Sequence, residues 1–484
     1  MLAAVGLVLW LVPAFAWSPW YPCDDGLRAE GAACVGVSDS SDFGDPLLAG
    51  VMSRIEQANK EVTGQHYYTV GYLMPLESQH ERTAESTELR HDLEGAHLAQ
   101  VRANAAGGDI EGGGAKIKIV VGNAGDGNRH WEEVVSRFHE MAAGPERLRV
   151  VAGLGTSLDT TRQAIAALTR PSAGHEPIAV IGSRLTADNL SLDPFSRSID
   201  GFFRIAPTNS DEARAAADHI RNKQYVRPVL LRDTNALDAY STTLGTAFRT
   251  AYGAPLHEET FDSGKDGLPG ALSAIMRNLC YARPDAVYFA GRGEPLAQFV
   301  DVLANRQCQD LPINIVTGDD VSGIREQARA GDVGVRTALS HNVTLTYTGL
   351  AHPAMWQDES LRTPSVVYFG SECESDHCFT ALFPDEPIDD GAAIMGHDAV
   401  LLAVTGIRRA GATTDAAAQN VSLSAVIQTL RQVRGENKVA GASGWLSISS
   451  CGDVEQKLFP MLSLSADGTA QLVAPVTTGE LLPC

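Results

Sequence analysis

The chain has 484 residues, 44% hydrophobic and 20% charged, which excludes wholesale disorder and predicts roughly two or three folded domains. Its 59 acidic residues against 38 lysines and arginines give a net charge of −21. No basic patch stands out, so nucleic-acid binding is not expected.

Residues 2–17 are continuously apolar. As a helix they would reach about 24 Å, short of the roughly 30 Å hydrocarbon core of a bilayer. Ala14-Phe15-Ala16 fits a small-residue cleavage site, yet no Lys or Arg precedes the run, and Trp10, Trp17, Trp20 and Tyr21 suit a membrane interface. Residues 1–20 therefore read as a signal peptide or an N-terminal membrane anchor, and the chain as exported. The cysteines agree: eight of them, none in a CxxC pair, suit an oxidising compartment. Pairing by proximity gives Cys23–Cys34, Cys280–Cys308, Cys373–Cys378 and Cys451–Cys484, one of about 105 possible connectivities.

Residues 21–66 read as a disulfide-stapled extension with helical periodicity over 46–62. Residues 67–73 (YYTVGYL) form the first expected strand, running into Met74-Pro75-Leu76-Glu77. A long helix is expected over 83–106. Its His91 and His97 lie six apart, not the four of a helical zinc pair, and read as solvated. The glycine-rich tract 107–114 lacks the lysine and hydroxyl of a phosphate loop. A strand over 116–121 and a helix over 131–141 follow.

Residues 148–220 are the most organised stretch. Apolar runs at 150–152, 178–181 and 202–206 alternate with helical spacing at Ile165 and Leu168, a shorter helix near 186–190, and Ala213, Ala216, Ala217 and Ile220. That alternation predicts a parallel sheet covered on both faces. Ligands of such sheets collect at the carboxyl ends of the strands. There the chain carries Thr156, Ser157, Ser183, Thr186 and Thr208, hydroxyls that serve as helix caps or receive a small polar ligand.

Further strands are expected at PVLLRD from residue 228, at 286–290 with Arg292 in its exit, at 312–317 with Asp319 and Asp320 in its exit, and at 344–348. The 373–378 segment, with His377 between its cysteines, reads as a small disulfide loop in preference to a metal site. A helix is expected over 390–409, and a last strand over 458–464.

The phrases GLGTSLDTT, AVIGS and FFRIAPTNSDEARAAA, in that order, and the closing Gly441 to Leu446 segment resemble the leucine/isoleucine/valine-binding proteins, the type I periplasmic binding proteins. The resemblance runs from about residue 67 to the C-terminus. It implies an α/β fold of two Rossmann-like lobes with parallel central sheets, joined by a three-stranded hinge. Lobe 1 would hold residues 67–222 and 352–452, and lobe 2 residues 223–351 and 453–484. It also implies that Leu76 and Glu77 face the cleft, that Tyr240 reaches into it, and that Asp319 receives a ligand amino group. Where the family often has a tyrosine before Asp398-Ala399, this chain has His397.

No HExxH, GxSxG, Walker or helix-opening GxGxxG motif occurs, so neither an enzyme nor a cofactor is expected. The resemblance implies instead an extracytoplasmic solute-binding protein. It would close on a small polar, amino-acid-like ligand through Leu76, Glu77, Thr156, Ser157, Ser183, Thr186, Tyr240, Arg292 and Asp319, and present it to an ABC permease. Two alternatives stay open at this stage: a membrane-anchored sensing ectodomain, and a structural exported protein with a vestigial cleft.

Overall fold

The computed structural model describes residues 23–30, 33–76, 84–105, 110–171, 174–193, 197–253, 256–370, 373, 375–412 and 420–479. The signal or anchor segment, Glu77 and Cys484 lie outside them.

Strands β1 (Arg28–Glu30), β2 (Ala33–Ser38), β3 (Tyr67–Met74), β4 (Lys116–Asn123), β5 (Leu148–Gly153), β6 (Ala179–Gly182) and β7 (Phe202–Arg204) build the first sheet. Its spatial order is β1-β2-β4-β3-β5-β6-β7. The strands from β4 to β7 run parallel, and β2 joins β4 antiparallel. Buried on both faces, β5 and β6 have no polar alternation, as a covered parallel sheet requires.

The chain then forms β8 (Pro228–Asp233), β9 (His257–Phe261), β10 (Ala286–Ala290), β11 (Ile313–Thr317) and β12 (Val343–Thr348). After a return to the first lobe and a small hairpin of β13 (Val439–Gly441) and β14 (Gly444–Leu446), it adds β15 (Leu458–Leu464) and β16 (Ala470–Thr477) to the second sheet. That sheet is ordered β16-β15-β12-β11-β10-β8-β9. The parallel cores β4-β3-β5-β6-β7 and β9-β8-β10-β11-β12 share one winding order, second-first-third-fourth-fifth. In each, the order reverses beside the first strand, where crevices for ligands open in doubly wound sheets.

One expected boundary moves. The resemblance puts the helix Asn209–Asn222 in lobe 1, but its Ala213, Ala216, Ala217 and Ile220 pack on Leu230, Tyr240, Leu244 and Phe248 of the second lobe. The apolar face fits the second sheet, and a capping box between Thr208 and Asp211 starts the helix just past the crossing. Thr208 is therefore a cap. The chain crosses between lobes near residues 205–208, 349–351 and 454–457. Lys457, 1% exposed, ties the first crossing to the third by donating to the Ile205 carbonyl at 2.7 Å, and it donates to the Ser443 hydroxyl at 2.8 Å. Desolvation brings its ammonium down to about 8.

The helices Ala84–Asn104 and Ala392–Ala412 cross closely in lobe 1. A Cβ on Gly95 would strike the Ala393 carbonyl, and one on Gly396 the Asp92 carbonyl. This crossing buries His91 (1% exposed) and His97 (2%), against the expectation that both are solvated. A second layer, the 392–412 helix, covers the face their spacing had left open. His91 engages Asp390 and Glu386, and His97 faces Gln100 at 3.1 Å.

Residues 23–66 join lobe 1 as an edge hairpin and a helix, Ala49–Glu61. Disulfides link Cys23–Cys34, Cys280–Cys308 and Cys373–Cys378. Cys451 is disulfide-bonded too, and its expected partner Cys484 lies outside the described residues. Among the described residues, no helix is long and apolar enough to cross a membrane.

Candidate functional site

Between the lobes lies a cavity of about 940 Å³, lined from both sides. On the lobe 1 side it is floored by the turn after β5. Gly153, Leu154 and Gly155 all take positive φ there, and a Cβ on Gly155 would run into the Pro75 ring. This turn presents Thr156 and Ser157 to the cavity. The Ser157 hydroxyl oxygen accepts the N–H groups of Thr186 (3.2 Å) and Ala187 (3.3 Å), so it holds the neighbouring loop in place. Its carbonyl faces the other lobe and accepts from the Tyr240 N–H at 3.2 Å and from Arg292 Nη2 at 3.0 Å.

Lobe 2 contributes the exits of β8, β10 and β11. Asp238 caps the helix Ala239–Tyr252 and accepts two nitrogens of Arg292, the closer at 2.6 Å. The Arg292 guanidinium stands 4.6 Å from the Tyr240 ring centre. The Tyr240 hydroxyl accepts the Asp320 N–H at 3.3 Å. After β11, Glu212 Oε2 accepts both the Asp319 N–H (2.9 Å) and the Thr348 hydroxyl (2.8 Å). Gly318 permits this convergence, because a Cβ there would lie 2.7 Å from that same Glu212 oxygen and against the Tyr240 hydroxyl.

Thr156, Ser157, Thr186, Tyr240, Arg292 and Asp319 thus come together around one space. Two expected residues do not. Leu76 is 3% exposed and packs in the lobe 1 core, its N–H held by Asn123 at 3.0 Å, because β3 runs on to Met74 and carries it under the sheet edge. Ser183 is fully buried and donates to Asp92 at 3.1 Å, away from the cavity. Its neighbour Arg184 lines the space instead, paired with Glu88 at 2.7 Å.

Several lining residues had no sequence signal. Glu85 and Glu88 come from the long lobe 1 helix, Asp389 and Asp390 from the turn before the 392–412 helix, and Arg325 from the helix Ser322–Ala330 of lobe 2. Arg325 lies 3.5 Å from Asp390, and Arg329 bonds Asp389, so charge pairs bridge the lobes on this side. Burial raises the Glu88 carboxyl to about 7 despite Arg184, and burial with Asp320 nearby raises Asp319 to about 6. Glu212, fully buried against Asp319, is held well above the ordinary carboxylate range, so it keeps its proton while Asp319 can ionise.

Two doubly wound lobes thus enclose a charged cavity between their strand exits. No protein-family model matches the chain, and no curated protein sequence does. Solved structures do. A leucine-binding protein, LivK, from Thermotoga maritima has a TM-score of 0.61 at 18% identity, covering 84% of this chain and 98% of its own. The branched-chain amino acid substrate-binding protein LivJ from Streptococcus pneumoniae, in complex with isoleucine, gives 0.57 at 18%, with 85% and 99% covered. A solute-binding protein from R. palustris in complex with benzoate gives 0.57 at 17%, with 86% and 99% covered. The chain has the fold of these proteins, the type I periplasmic binding protein fold.

Proposed function

We propose that the chain is an extracytoplasmic solute-binding protein that closes on a small polar ligand and presents it to an ABC permease. The observation that carries this reading is the 940 Å³ cavity, formed at corresponding strand exits of two similarly wound lobes and lined by polar groups from each. A ligand held from both sides favours the closed arrangement over the open one, and hinge crossings allow that change without unfolding either core. Disulfides in both lobes support an oxidising, extracytoplasmic setting. The similarity in fold to LivK and LivJ supports the pairing with a permease.

The test is thermal unfolding of the disulfide-intact protein against a panel of amino acids, amines, small amides and aromatic acids. A native-state ligand at about a hundred times its Kd adds roughly 2.7 kcal/mol of stability. A concentration-dependent rise in Tm with some member supports the reading, and a flat response across the panel sinks it.

A further inference from the structure

Charge singles out a class of ligand. Among the described residues, nine carboxylates and three arginines line the cavity, and no lysine does. Every one of those arginines is already engaged: Arg184 by Glu88 at 2.7 Å, Arg292 by Asp238 at 2.6 Å, and Arg325 with Asp390 at 3.5 Å. The cations that would receive a ligand carboxylate are therefore taken. Glu85 of lobe 1 and Asp319 of lobe 2, by contrast, have no cationic partner in contact, and Asp319 Oδ1 is buried with no hydrogen bond at all. Both carboxylates feel the same three charges, Asp320, Arg292 and Arg184, so they flank one cluster from opposite lobes.

The Asp319 oxygen left without a partner inside the protein is costly, and a cation that reaches this carboxyl removes the cost, whereas Glu85 stands exposed on the opposite lobe with no opposite charge beside it. An aliphatic zwitterion would bring a single cation to the two acids. An aromatic acid would satisfy none. We propose that the cavity takes a small organic cation with two positively charged nitrogen groups, one received by Asp319 and the other by Glu85. This rests on the solute-binding reading and departs from the isoleucine and benzoate held by the similar structures. Each lobe then supplies one carboxylate, so a ligand bearing both charges bridges the cleft, whereas a monocation engages one lobe alone. Free diamines and basic amino acids share this chemistry. They differ in a carboxylate for which Thr186 and backbone N–H groups remain.

Isothermal titration of the full disulfide-bonded protein would use putrescine, spermidine, L-lysine, L-arginine, L-leucine and benzoate. At least one dication is expected to bind tenfold or more tightly than leucine, roughly the effect of one added charge-assisted bond. Raising the salt should weaken it. Glu85→Gln should lower that dication's affinity about tenfold, and Glu85→Asp should restore part of the loss. Matching unfolding curves establish that each variant is folded. Tighter binding of leucine or benzoate than of every dication overturns the inference and leaves the solute-binding reading standing. Undiminished dication binding by folded Glu85→Gln overturns the assignment of Glu85. No binding by any of the six overturns the inference, and the wider thermal panel then decides the solute-binding reading separately.

Discussion

Arg292 and Ser157 belong to opposite lobes, and the arginine Nη2–H donates to the serine carbonyl at 3.0 Å while the same guanidinium holds Asp238 and covers the Tyr240 ring. One side chain thus joins the lobes and neutralises a nearly buried acid. Arg292→Ala should destabilise the protein by about 2–4 kcal/mol, below the full effect of breaking a buried pair because Arg292 is partly exposed. Arg292→Lys should recover only part, since an ammonium cannot reproduce the planar fork and the stacking. Urea unfolding of the three proteins checks the order.

Gly318 is the narrow point beneath the proposed ammonium site. In Gly318→Ala the new methyl meets Glu212 and Tyr240, which are held by Thr348, Asp319 and Asp320. The expected cost is about 1–3 kcal/mol of overpacking. Ligand affinity should fall as well, since Asp319 is carried by the next residue. Urea unfolding and titration of the variant would report the two effects.

The crossing of the helices Ala84–Asn104 and Ala392–Ala412 depends on glycine in the same way, but against backbone. Because the Asp92 carbonyl cannot rotate aside, Gly396→Ala should cost about 3 kcal/mol, the upper end for one added methyl. Its effect on ligand affinity should be small, as Gly396 does not line the cavity. Denaturant unfolding paired with titration separates the two.

The pH dependence of binding follows from Asp319. Its carboxyl, raised to about 6 by burial and Asp320, must be ionised to receive a cation, with Arg292 and Arg184 opposing the shift and Glu212 holding its own proton beside it. Cation affinity should be full above about pH 7 and fall by up to tenfold per pH unit below about 6. Titration at pH 5, 6 and 7.5 checks this, and a pH-independent affinity would remove Asp319 from the cationic contact.

Desolvation holds the His97 imidazole at about 4, below its unfolded value near 6.5. A base that is neutral when folded and protonated when unfolded contributes stability above pH 6.5 that is lost as pH falls toward 4. The loss from this residue reaches about 3 kcal/mol. NMR titration should find His97 uncharged at pH 5.

Sequence periodicity made the parallel strands legible, because β3, β5, β10 and β11 are apolar runs of strand length buried on both faces. Tyr240 and Asp319 were legible through the family resemblance, which implies that both face the cleft. Ser183 and Leu76 were not, since the same signal marks both a residue facing the cavity and one turned under the sheet. The spacing of Ala213, Ala216, Ala217 and Ile220 marks the helix Asn209–Asn222 as amphipathic, but amphipathicity does not say which sheet it covers. Glu85, Arg325 and Asp390 could not be found at all: they meet only when α/β layers distant in sequence close on each other.

Small-angle X-ray scattering during ligand titration tests the central claim most directly, because lobe closure changes the shape of the whole molecule. The account predicts a decrease in radius of gyration that saturates with the same ligand, and at the same concentration, as the rise in Tm. A radius unchanged by a ligand that demonstrably binds would contradict closure of two lobes around the cavity.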